Sequence, residues 1–215
     1  MEDLIISLPV LVFSVVCHEV AHGWVARQQG DHTAEMLGRL TLNPVPHVDP
    51  IGSLLVPALL AVMNAPILGW ARPVPVNPRN FRNYKRGDIL VSLAGVTVNL
   101  LLAIVSTLIL VAAVWLERAL PGLATSWSLL QAMAQAGISI NLILMLFNLL
   151  PIPPLDGSHV FYHLLPPRLG MRYRELGRYG MFILFGLLAL GGLNFLLWPL
   201  RWLSGLLLAF GSLLV

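Results

Sequence analysis

Charge is scarce in this chain: 13 Lys and Arg and 10 Asp and Glu make up 11% of 215 residues, against about 25% in an ordinary soluble domain. With 57% of residues apolar, that scarcity excludes a water-soluble globule and a disordered chain alike. Cysteine is nearly absent. The single Cys17 excludes an intrachain disulfide framework and a thiolate cluster, so any metal has to be held by histidines and carboxylates. Internal repeats, low-complexity tracts and any polar stretch long enough for an appended soluble module are missing too. No basic segment precedes the first apolar run, so no cleavable leader is expected.

What is present is a series of apolar runs at about residues 4–26, 51–69, 89–116, 129–150, 179–198 and 200–215, several near the ~20 residues that span a bilayer. Proline crowds into 43–50, 72–78 and 151–154, where it ends helices by removing a backbone donor and fixing φ. The expected fold is an all-α polytopic membrane protein with about five to six transmembrane or re-entrant segments and Pro-rich irregular loops. One membrane-embedded domain is expected over 1–215, with a core at 4–160 and C-terminal helices at 177–215. Around Trp198-Pro199-Leu200-Arg201-Trp202 the last run should form one kinked helix or two short ones. Trp24, Trp70, Trp115, Trp127, Trp198 and Trp202 sit mostly near run ends, as interfacial aromatics do.

The net charge of +3 invites a nucleic-acid reading. The basic residues sit instead in short stretches between apolar runs, which marks them as loop anchors at the cytoplasmic surface, and no nucleic-acid partner is expected. Loop 70–88 carries Arg72, Arg79, Arg82, Lys85 and Arg86, and 151–178 carries Arg168, Arg172, Arg174 and Arg178. Both face the cytoplasm if run 51–69, broken by Pro57 and Pro66, re-enters the membrane and returns. An ordinary spanning helix there would set the loop charges against the rule.

His18-Glu19-Val20-Ala21-His22 is the strongest chemical signal. Positions four apart share one helix face, so both imidazoles can bind one Zn²⁺ while Glu19 stands beside it as a general base. Three ionisable groups within five residues of a membrane span are costly and imply a task. From a helix start near Leu4, His18 lies roughly 21 Å along at 1.5 Å per residue, toward the cytoplasmic side of the bilayer core. A catalytic zinc usually has three protein ligands. Cys17 points about 100° away from His18 around the helix; Asp156, delivered by the proline-broken segment Asn148-Leu149-Leu150-Pro151-Ile152-Pro153-Pro154-Leu155-Asp156-Gly157, is the better third ligand. Gly157 would permit a tight turn there.

These motifs resemble the site-2 protease family of intramembrane zinc metalloproteases, in its compact bacterial branch without a PDZ domain. Gly38-Arg39-Leu40-Thr41-Leu42-Asn43-Pro44, His47-Val48-Asp49-Pro50-Ile51-Gly52 and Gly69-Trp70-Ala71-Arg72-Pro73-Val74-Pro75-Val76-Asn77-Pro78 extend the resemblance over most of the chain. One departure is Ala94-Gly95-Val96-Thr97-Val98-Asn99, which has Val96 where the family commonly has proline; it reads as scaffold. The resemblance implies one zinc per chain on His18, His22 and Asp156, with Glu19 as the catalytic base. It implies single-span membrane protein substrates and a place in a bacterial cytoplasmic membrane, the active site toward the cytoplasm.

Other polar residues are weaker candidates. Asn148 could bond the substrate backbone or the developing oxyanion, and His47 could contact substrate, although helix contact and loop capping are their ordinary uses. His159 and His163 repeat the four-residue spacing without a following Glu and suit a supporting role better than a metal site. Asn99 and Asn141 should bond across helices. Two further functions fit the same ligands: a metal-ion transporter, which would often show two related halves, and an inactive protease-like scaffold, which would not need Glu19.

Overall fold

The computed structural model describes residues 2–55, 59, 71–192 and 194–213. The described residues are helical and irregular, without strands. α1 (Glu2–Gln29) and the short α2 (Thr33–Met36) precede a coil that runs through a 3₁₀ turn at Val45–His47 into a π-helical segment at Pro50–Leu55. After the extended residues 71–77 come α3 (Tyr84–Ala119), α4 (Ala124–Asn148), α5 (Asp156–Leu164), α6 (Pro167–Glu175), α7 (Gly180–Ala189) and α8 (Leu197–Ser212). Among the described residues, four helical stretches are long and apolar enough to cross a membrane: Ile5–Gln29, Tyr84–Ala119, Pro121–Asn148 and Asn194–Ser212. Most of run 51–69 lies outside the described residues. Its flanks are adjacent, because the amide of Arg72 donates to the carbonyl of His47 at 2.8 Å.

Polarity is arranged for a bilayer. Leu8, Leu101, Val105, Leu108 and Ile143 are exposed along the outer faces of α1, α3 and α4, while Ser14, His18, Asn99, Thr107 and Asn141 are buried. In water the exposed leucines would have no partner; in lipid they face their own kind and the polar groups must bond inside. Val96 and Ala103 of α3 pack on Ile138, Leu142 and Met145 of α4, with Leu200, Leu203 and Leu207 of α8 against them.

Local chemistry sets the ends of the elements. Gly30, at φ +109, closes α1 with bonds from its own amide to Arg27 and from the Asp31 amide to Ala26, a left-handed cap that glycine accepts without steric cost. The Asn83 side chain caps α3 by accepting from the Arg86 amide at 3.0 Å, which satisfies one of the donors a helix start leaves open. The sequence placed the C-terminal break at Trp198–Trp202. It falls earlier, where Gly191 adopts φ +67 between α7 and a 3₁₀ turn at Asn194–Leu196. Pro199 sits in the first turn of α8, whose amides have no intrahelical partner to lose, so it breaks nothing.

The extended segment 71–77 is strapped across the end of α1. Buried Asp31 is its main clasp: the carboxylate accepts from the amide of Asn77 at 2.6 Å, from Asn80 Nδ2 at 2.8 Å, and from the amide and hydroxyl of Thr33. Burial raises the carboxyl pKa, and these donors outweigh it, leaving Asp31 below the usual carboxylate range. A depressed folded-state value stabilises the fold above the ordinary carboxylate pKa, and that contribution disappears as pH falls through the lower folded value. Thermal unfolding in detergent should therefore lose a stabilising increment between about pH 4 and the more acid range, and Asp31→Asn should lack that increment at neutral pH already. An equal fall of both proteins with acid would contradict the clasp.

Candidate metal centre

His18 and His22 lie one turn apart on α1, their rings nearly perpendicular with centroids 4.6 Å apart. Asp156, first residue of α5, comes to the same point. His18 Nε2 and His22 Nε2 are 3.0 Å apart, and Asp156 Oδ2 is 3.2 Å from the first and 3.4 Å from the second. Ligands at 2.0–2.2 Å around a tetrahedral zinc are about 3.3 Å from one another, so all three edges of the triangle have the length a shared ion requires. His18, His22 and Asp156 are the one such metal-ligand group among the described residues.

The protons of the two rings are fixed by their other nitrogens. His22 Nδ1 meets the carbonyl of Val91 at 2.7 Å; a carbonyl only accepts, so Nδ1 carries the proton. For His18 the assignment runs through three side chains. Asn141 Nδ2 donates to the carbonyl of Gly137 at 2.9 Å and to Ser14 Oγ at 2.9 Å, which turns Asn141 Oδ1 toward Asn99 Nδ2 at 2.9 Å. Asn99 Oδ1 is then left to accept from His18 Nδ1 at 2.6 Å. The Gly137 carbonyl thus settles both amide orientations and the tautomer. In the neutral rings both Nε2 atoms present lone pairs, facing a carboxylate oxygen that is buried without a hydrogen-bond donor. Three converging acceptors repel one another unless a cation sits among them, and two imidazoles with one carboxylate suit zinc.

Backbone proximity makes the site possible. A Cβ on Gly95 would overlap the His18 ring, within 2.6 Å of Nδ1 and Nε2, so α3 can lie against that imidazole only with glycine there. Gly157 has no left-handed φ among the described glycines. Its place is set by space instead of by a turn, because a Cβ would collide with the carbonyls of Leu149 and Leu150. The loop that carries Asp156 is backed by Leu150, Leu155 and Leu184.

Glu19 Oε2 accepts from the amide of Val74 at 2.8 Å, which the sequence did not reveal. Gly95 and Asn99, read in the sequence as scaffold and as a cross-helix bond, both touch His18; they too are four residues apart on one helix face, and that periodicity was the available signal. Asn148 Nδ2 donates to the Leu144 carbonyl at 2.9 Å, and buried His47 donates from Nε2 to the Thr41 carbonyl at 3.0 Å. Among the described hydrogen bonds, neither reaches the triangle. His159 and His163 bond the two oxygens of Asp88 on α3, at 3.1 and 2.7 Å, and so fasten α5, the helix that Asp156 begins. The Asp88 carboxylate raises His159 above the usual imidazole range, partly opposed by burial.

Second contacts of this kind are worth about 10–100-fold in metal affinity. Asn99→Ala is expected to weaken zinc binding by about that factor, read by chelator competition on the purified protein; unchanged affinity would show that the His18 tautomer does not depend on Asn99.

Comparison with known proteins identifies relatives of the chain. The model of "Peptidase family M50" matches residues 119–190. The chain is 42% identical over 193 residues to "Putative zinc metalloprotease YwhC" of Bacillus subtilis, covering 88% of this chain and 83% of that protein. The proteins named Rip2 and likewise described as zinc metalloproteases are 32% identical in Mycolicibacterium smegmatis, over 85% of this chain and 66% of the relative. In Mycobacterium tuberculosis the figures are 35%, 67% and 51%. No solved structure gives a significant match. With YwhC matched at 42% identity over 83% of its length, the chain belongs to peptidase family M50, the site-2 proteases, and is a zinc metalloprotease of that family.

Proposed function

We propose that the protein is an intramembrane endopeptidase that cleaves single-span membrane proteins in or beside their transmembrane segments, as in regulated intramembrane proteolysis. His18 Nε2, His22 Nε2 and Asp156 Oδ2 hold one zinc, and Glu19 is the general base. The convergence of three potential metal-ligating atoms, 3.0–3.4 Å from one another, carries this reading. When bound, zinc supplies Lewis acidity that polarises a peptide carbonyl and makes water acidic.

The chain's own groups do the rest. Glu19 has Oε2 engaged by the Val74 amide, which leaves Oε1 to take a proton from water and return it to the departing amine. His18 and His22 are held by Asn99 and Val91 and cannot rotate out of place. A helical substrate keeps its carbonyls bonded internally, so the cleaved stretch has to unwind before it reaches Glu19.

The membrane reading rests on the four apolar spans. Orientation rests on the basic residues: Arg174 Nη2 donates to Tyr84 Oη at 2.8 Å, joining the two Arg-rich stretches at the end of the molecule that holds the metal centre, and positive charge favours the cytoplasmic side. The described helices act as one membrane-embedded domain. Purified protein in lipid vesicles should cleave single-span peptides, lose that activity to a zinc chelator and regain it when zinc is restored. Cleavage indifferent to chelation, or zinc flux across the vesicle without cleavage, would overturn the reading.

A further inference from the structure

In Arg72-Pro73-Val74-Pro75 three successive residues share one backbone N–H, because proline has none. That single donor, on Val74, points at Glu19 Oε2 from 2.8 Å. The segment around it is tied down on both sides. The Arg72 amide donates to the His47 carbonyl at 2.8 Å, Arg39 Nη2 donates to the carbonyls of Arg72 and Pro73 at 2.9 and 3.3 Å, and the Asn77 amide donates to Asp31. The buried Val74 side chain is seated on Gly23, where a Cβ would come within 2.7 Å of Val74 Cγ1. Gly23 lies four residues after Glu19, on the same face of α1. Val74 is therefore fixed to α1 twice, by its side chain at Gly23 and by its amide at Glu19. Flanking prolines restrict the backbone on either side, so the direction of this N–H is set by the segment.

We infer that the Val74 N–H is a positioning group for the general base: it holds one carboxylate oxygen of Glu19 by a charge-assisted bond and leaves the other aimed at the reacting water. This rests on the peptidase reading above. Without the bond a glutamate with three rotatable side-chain torsions samples many orientations, and displacement of a reacting group by about 1 Å lowers rate by about a hundredfold.

The test exchanges the peptide bond before Val74 for an ester, which deletes the N–H and keeps the side chain. The kcat is expected to fall about tenfold to a hundredfold with KM and zinc content unchanged. The same exchange before Asn77, whose amide serves Asp31, is expected to lower thermal stability without that loss of kcat. A second readout needs neither zinc nor substrate: in zinc-free protein labelled with ¹⁵N-valine, the Val74 amide proton, assigned by its loss in Val74→Ala, should move upfield in Glu19→Ala. An unmoved resonance, or an ester protein with full kcat, overturns the inference. A wild-type protein that cleaves nothing, while Glu19→Ala still shifts the resonance, would end the peptidase reading and the role of Val74 with it, leaving the contact itself visible.

Discussion

Glu19→Gln is expected to reduce peptide cleavage by about 10²–10⁴-fold, the usual contribution of a general acid–base group, with one zinc per chain retained. Gln keeps the shape and still accepts from the Val74 amide that bonds Glu19 Oε2, so the fold should survive. It cannot take a proton, so the reaction should not. Glu19 is not among the three converging donor atoms, which is why metal content and activity should separate. Quantifying zinc and cleavage on the same vesicle preparation checks this, and comparison of the membrane proteome in cells carrying either form should reveal the substrates as uncleaved single-span proteins that accumulate. Loss of zinc together with activity would move Glu19 into the ligand set. Full activity without the carboxylate would remove the base from the mechanism.

Gly95→Ala is expected to have the second largest effect, although the change adds only one methyl group. In an exposed helix the replacement would stabilise by about 1 kcal/mol through propensity. Here the new Cβ falls on the His18 ring. That ring cannot move aside without giving up Asn99 at Nδ1 or the triangle at Nε2. Zinc affinity should therefore drop at least about tenfold to a hundredfold, as for loss of an orienting partner, and cleavage should fall with it. Gly205→Ala on α8, which meets open space, is the control and should bind zinc as the wild type does. Equal affinities in both variants would show that α3 does not press on His18.

The triangle of His18, His22 and Asp156 was legible in the sequence because helical periodicity turns a four-residue spacing into one face, and because the Pro-rich segment before Asp156 could not continue α4. The parts that orient those residues were not. Asn99, Asn141 and Ser14 come from three different helices, and nothing in local spacing says which asparagine will face which histidine. Gly95 read only as scaffold, since a glycine in an apolar run carries no mark of the side chain laid against it. Val74 was invisible for another reason: it acts through its backbone, and only the prolines on either side hint that one amide is singled out. The decoy pair His159 and His163 taught the reverse. Its spacing did bring both rings to one partner, but the partner was a carboxylate already buried on α3, so the pair closes around Asp88 and serves the metal centre only by anchoring α5. Proline also misled at Pro199, where position within the helix mattered more than residue type.

Zinc K-edge X-ray absorption on the purified protein tests the central claim most directly. The expected spectrum has nitrogen and oxygen neighbours at about 2.0–2.2 Å, an imidazole pattern from two histidines and no sulfur shell near about 2.3 Å, with Asp156→Ala changing the oxygen contribution and lowering occupancy. A sulfur neighbour, which Cys17 alone among the cysteines could supply, or a spectrum that Asp156→Ala leaves unaltered, would contradict the account.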